Sequence, residues 1–176
     1  MKTWAYVPWH LLGCFSVLDI PKRKGKRGKL LEKIYFAPAF EKSTSYSIIK
    51  DSFEVEKQRL VFDIYEVSAR FARQQLSMMQ DSMPGYGTLS IFYKTIEARA
   101  IEMRDAYVDS YTREVYIERN DEAYESWRLK IDTLLEQSEE FATTAEECYR
   151  FIKGQPIEEN YTMAEKVVGN LDKSNE

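Results

Sequence analysis

The chain has 176 residues, of which 44% are hydrophobic and 31% charged, and this places it with ordinary globular domains large enough to bury one core. Two cysteines, Cys14 and Cys148, are too few for a disulfide framework or a thiolate metal site, which points to a reducing, cytoplasmic setting. The net charge of −4 hides a polarity: residues 1–50 hold ten Lys/Arg against three Asp/Glu, and residues 51–176 hold fifteen against twenty-six.

Residues 1–44 form an aromatic and basic arm. Lys2 is followed by sixteen uncharged residues, 3–18, among them Trp4, Tyr6, Trp9 and Phe15. Leu11-Leu12-Gly13-Cys14 resembles a bacterial lipoprotein processing site, although the residues after Cys14 are apolar rather than a polar tether. Basic residues on one flank suit a membrane-attached segment, but Pro8, His10 and Gly13 interrupt a stretch already short for a crossing of about 18 to 20 residues. The stronger expectation is that this arm packs on the first long helix. Lys22, Arg23, Lys24, Lys26, Arg27 and Lys29 follow with two glycines and no apolar residue, so they form a loop. Such a loop can contact nucleic-acid phosphates or another anionic surface. Segments 15–20 and 34–37 can pair as a small β-hairpin around it.

The fold class expected is mainly α: an up-down-up bundle of three long helices, about 45–83, 88–119 and 121–153. Ser43, Thr44 and Ser45 offer caps for the first helix, and Pro84-Gly85-Tyr86-Gly87 stops it. This helix has two apolar stripes. One contains Phe53, Leu60, Ile64, Val67, Phe71 and Met78; the other contains Val55, Phe62, Tyr65, Ala69, Ala72, Leu76 and Met79. At about 100° per residue, Leu60 and Phe62 point to nearly opposite sides, so something must cover the helix on both flanks. The second helix, capped by Thr88, has its stripe at Leu89, Phe92, Ile96, Ala100, Met103, Tyr107 and Tyr111. Asn120-Asp121 can end it and cap the third. The uninterrupted column from Ile96 through Ile117 to Ile152 would also allow one continuous helix, but charges at Glu114, Glu118 and Asp121 favour the break. The third helix repeats Tyr124, Trp127, Ile131, Leu134, Ser138, Phe141, Ala145, Cys148 and Ile152 in heptad spacing, stopped by Gly154 and Pro156. Residues 154–176 make a short amphipathic helix, from Ile157 through Leu171, and a polar tail.

Catalytic and cofactor motifs are missing. His10 is the single histidine, which rules out a His-rich metal site and leaves no supported triad; no phosphate-binding glycine pattern is present. No cofactor or metal ligand set is expected. The sequence therefore points to a non-enzymatic helical module for protein–protein interaction or self-association as a homo-oligomer. Tyr93, Val108, Val115 and Tyr116 lie off the main stripe of the second helix and are candidate partner contacts, the alternative being a broader core. Nucleic-acid association through Lys22 to Lys29 is the second reading, and membrane attachment through residues 3–18 the third. The acidic body, dense in carboxylates at Glu136, Glu139, Glu140, Glu146 and Glu147, gives solubility or a face for a basic partner.

Overall fold

The computed structural model describes residues 12–40 and 51–165. The chain is mainly α with a small antiparallel sheet. A hairpin of β1 (Leu12–Pro21) and β2 (Lys33–Phe40) comes first. Helices α1 (Ser52–Ser82), α2 (Thr88–Tyr111), α3 (Asp121–Gln137) and α4 (Ala145–Lys153) follow, and β3 (Tyr161–Met163) closes the order. The strands are arranged β2-β1-β3.

Cross-helix hydrogen bonds give the directions. Lys57, Asp63 and Arg70 of α1 reach Asp121, Arg128 and the Leu135 carbonyl of α3 in that order, so these two helices run parallel. Tyr111, at the end of α2, donates to the Lys57 carbonyl near the start of α1, so α2 runs antiparallel to both. This is the up-down-up arrangement.

α1 is covered on two flanks because apolar residues recur on both of them. Leu60, Ile64 and Val67 enter a core with Tyr111, Val115, Tyr124, Trp127 and Ile131. Ala69, Ala72 and Leu76 enter a second core with Leu18 and Phe36 of the hairpin and Tyr93 and Ile96 of α2. The division is lengthwise as well as around the axis: the amino-terminal half faces α3, and the carboxy-terminal half faces the sheet. Tyr65 and Leu76 are buried and Phe62 is half-buried, while Phe53, Val55 and Met78 near the helix ends are exposed. Small side chains at Ala69 and Ala72, both fully buried, leave the volume that Phe36 and Tyr93 occupy.

Helix ends follow local chemistry. Asp51 caps α1, its carboxylate accepting from the Phe53 amide at 2.9 Å. The expected caps at 43–45, like the aromatic residues 3–11, lie outside the described residues. Gly87 (φ 101°) is the N-cap of α2, and the Thr88 hydroxyl donates back to the Met83 carbonyl instead of capping. The α2–α3 break falls where expected. It is a π turn, Thr112–Ile117, then Arg119 in the left-handed region, and Asn120 capping α3 by accepting from the Glu122 and Ala123 amides. Val115 turns inward while Ile117, in the column that suggested one continuous helix, is exposed.

Two expectations are corrected. The third helix does not run to residue 153. It stops at Gln137, passes through a 3₁₀ turn (Glu139–Phe141), and restarts as α4 behind a Thr144–Glu147 capping box. Ala145 and Ile152, predicted as core, are exposed. The short helix expected after residue 154 is not formed in the described part. Gly154 ends α4 in the left-handed region, and Tyr161–Met163 instead add a strand along Asp19–Pro21. Tyr161 is buried there and donates its hydroxyl to the Leu31 carbonyl at 2.9 Å.

Candidate interaction surfaces

Alternation along β1 sets the first surface. The register pairs Cys14 with Pro38, Ser16 with Phe36 and Leu18 with Ile34, and these residues face α1 and α2. The odd residues face the other way, where α4 lies across the sheet. Phe15 meets the Phe151 ring at 6.1 Å, and Asp19 receives a bidentate pair of hydrogen bonds from Arg150 at 2.8 and 2.6 Å. Both members of that ion pair are buried. Glu146 and Arg150 have the spacing of a surface pair, yet Arg150 turns inward to Asp19.

The connection into α4 is also fixed by charge. Glu66 on α1 accepts from Arg70 Nε at 2.7 Å, from the Thr143 amide at 2.9 Å and from the Thr143 hydroxyl at 2.5 Å. Arg73 donates to the Phe36 carbonyl of β2 at 2.8 Å and to the Phe141 carbonyl and Thr143 hydroxyl. One carboxylate and two guanidiniums thus tie α1, β2 and the 3₁₀ turn together, each buried charge having several partners.

With its charged side turned in, α4 turns an apolar stripe out. Ile152 is 77% exposed, Tyr149 56% and Phe15 on the adjoining strand 51%. Ala145 and half-buried Cys148 lie on the same outward stripe, at i, i+3, i+4 and i+7. Glu146 and Lys153 are exposed on one flank of it, at opposite ends of the helix. Burial and the nearby Glu147 carboxylate raise the Cys148 thiol above its usual range.

The hairpin tip forms a second surface. Lys22, Arg23, Lys24, Lys26 and Lys29 are exposed, with Lys24–Lys26 in a 3₁₀ turn. Arg27 is half-buried, its guanidinium 5.5 Å from the centre of the Tyr86 ring. The tip is pinned at both sides: the Lys22 amide donates to Asn160, and Glu32 accepts from the Ser90 amide at 3.1 Å and from its hydroxyl.

The four candidate contacts on the second helix divide differently from the expectation. Tyr93 and Val115 are core residues and present nothing to a partner; this corrects their assignment. Tyr93 lies under the hairpin, donating to Glu97, which also accepts from Ser16. Burial pushes its phenol up to about 12. Val108 and Tyr116 are half-buried against the α1–α3 core, where Tyr116 stacks edge-on with Tyr111 at 5.8 Å. The broader core is the reading that the packing supports, because α2 has neighbours on both α1 and the sheet side. The face that sequence reasoning missed was signalled by Thr144-x-x-Glu147, a helix-start pattern inside an apparently continuous helix.

Chemistry is scarce at these places. A cavity of about 10 Å³ between β1, α1 and α2, beside Cys14, Ser68, Glu97 and Arg104, has room for one water. Burial pushes the Cys14 thiol up to about 11, which disfavours its thiolate at neutral pH. Gly13 and Cys14, the end of the processing-like tetrapeptide, are paired with Ala39 and Pro38 inside the sheet. Residues 12–18 of the candidate membrane segment are strand, and residues 3–11 lie outside the described residues. Among the described residues no cluster of His, Cys, Asp and Glu can hold a metal ion, and no helix is long and apolar enough to cross a membrane. No family model, no curated protein and no solved structure matches the chain.

Proposed function

We propose that the protein is a non-enzymatic interaction module that self-associates through α4, two copies pairing antiparallel about a twofold axis. The observation that carries this is the orientation of the helix: a buried Asp19–Arg150 pair holds its polar side in, and Tyr149, Ile152 and neighbouring Phe15 stand in water. A nine-residue helix is about 13 Å long. Antiparallel pairing of two such helices places Glu146 of one copy beside Lys153 of the other, twice per dimer. Ala145, with one methyl group, permits close approach at each end of the stripe. Cys148 falls near the axis, close to its own counterpart.

The area offered by α4 and Phe15 is small for a protein–protein interface, so the dimer forms in a concentration-dependent way. Light scattering across a concentration series should show it, and Ile152→Asp should give a monomer at every concentration. Mild oxidation should cross-link the wild type into a dimer through Cys148, and Cys148→Ser should not cross-link, since half-buried Cys14 packs against the two cores on the other face of the sheet from α4. A wild-type chain that stays monomeric throughout, or an Ile152→Asp variant that dimerises unchanged, overturns the reading.

A further inference from the structure

The basic tip differs from a loop of cations free in solvent in what it rests on. Arg27 against Tyr86, and Glu32 against Ser90, seat it over the turn between α1 and α2 and over the first turn of α2. That same end of the molecule exposes large apolar side chains. Ile91 is 57% exposed and Met83 46%, and Leu31, directly after the loop, is exposed as well. No acidic residue occurs between 20 and 31, and the carboxylate of Glu32 is already taken up by Ser90. Asp81, on the last turn of α1, is the exposed carboxylate nearest in sequence to this turn.

We infer that this end docks on an anionic lipid surface. Six Lys and Arg in one loop match the number of cations that hold a protein at a membrane bearing acidic headgroups. Cations alone would serve a nucleic acid equally well. The exposed Met83, Ile91 and Leu31 decide between them. A phosphate backbone offers no apolar layer for them, whereas the boundary between headgroups and acyl chains does. In the docked state the loop cations contact headgroup phosphates and carboxylates. Met83 and Ile91, on either side of the N-terminus of α2, enter the layer just beneath. The contact is peripheral, since no described helix crosses.

Sedimentation of the full chain with vesicles tests this. One set is phosphatidylcholine alone and the other contains about 30 mol% phosphatidylserine, a strongly anionic surface. Binding is expected to the second set only, and to fall at least about tenfold between 50 mM and 500 mM salt. Replacing the six basic residues by Ser should abolish it. The double variant Met83→Ser, Ile91→Ser should weaken it about fivefold or more, by removing apolar area from the acyl boundary. Both variants leave residues 1–11 intact, so a contact made by that segment would persist in them, and circular dichroism checks their fold. Failure of the folded wild type to bind, or binding unaffected by Met83→Ser with Ile91→Ser, overturns the inference. Binding to a single-stranded oligonucleotide without binding to vesicles overturns it too, and assigns the tip to nucleic acid.

Discussion

The core between α1 and α3 and the seat of α4 are held by different physics. Between α1 and α3 the buried core is aromatic and aliphatic, with the Asp63–Arg128 pair only at its half-exposed rim: Trp127 stands edge-on to Tyr107 at 5.8 Å and to Tyr111 at 5.9 Å, in one cluster with Leu60 and Ile64. On the side that leads to α4, beyond the hairpin, the joints are buried ions: Glu66 with Arg70 and Thr143, Arg73 with three backbone or hydroxyl oxygens, and Asp19 with Arg150. Apolar packing is non-directional and tolerates changes of detail. Buried ion pairs fix one geometry and fail when one partner is lost. That contrast explains how α4 keeps an orientation that leaves its apolar stripe in water. Burial of Ile152 by rotation of the helix would strand Arg150 and Asp19.

The comparison can be broken first on its apolar side. Trp127→Ala removes the largest side chain of the α1–α3 core and leaves Glu114 without the indole donor it holds at 2.7 Å. A loss of about 3 to 5 kcal/mol is expected in urea unfolding. Asp19→Ala tests the charged side. It leaves a buried guanidinium unpaired and should cost about 3 to 5 kcal/mol as well. The sharper measurement is the double replacement Asp19→Leu with Arg150→Met. It should recover most of that loss yet release α4 from its fixed orientation, which hydrogen exchange over 145–153 would report. A double variant as unstable as Asp19→Ala would mean that packing around the pair, not the pair itself, is what the single change destroys.

Alkaline titration discriminates the two sides more gently. Burial raises Tyr93 and Tyr116 to about 12 and pushes Tyr111 higher still, against about 10 in an unfolded chain. A raised folded-state value means the protonated form is favoured by folding. The stabilisation is therefore complete below pH 10 and is lost as pH climbs toward 12 and beyond. Unfolding followed from pH 9 to 12 should show stability falling only above pH 10, and Tyr93→Phe should flatten that fall. The smallest effect on stability is at the surface. Ile152→Asp should stay within about 0.5 kcal/mol of wild type while changing the state of association.

How much of this was readable in the sequence follows the same division. The doubled stripe of α1, the stop at Pro84, the cap region at Asn120 and the hairpin around the basic loop all come from periodicity and turn chemistry, which are local. α4 was not readable as the chain places it. Tyr124 to Ile152 keeps heptad spacing throughout, and periodicity cannot tell that the last two turns face away from the core. What turns them is Arg150 finding Asp19, a partner 131 residues away in sequence. A Glu four positions before an Arg reads as a solvated pair, and no local rule marks one of the two as buried. Tyr93 and Val115 were misplaced for a related reason. The second helix has neighbours on two sides, so its core face is wider than a single stripe, and the π turn at Thr112–Ile117 rotates Val115 inward out of the simple count.

The span between Asp19 and Arg150 also bears on how the chain is born. At roughly 5 to 20 residues per second, a ribosome delivers Arg150 some 7 to 26 seconds after Asp19. β3, which completes the sheet beside that aspartate, emerges later still. The nascent hairpin must wait with its carboxylate in water and its central strand bare along one edge, while α1, α2 and α3 assemble behind it. Closure of the sheet and the seating of α4 thus come late in the order of synthesis, when the segment from Arg150 to β3 returns to β1.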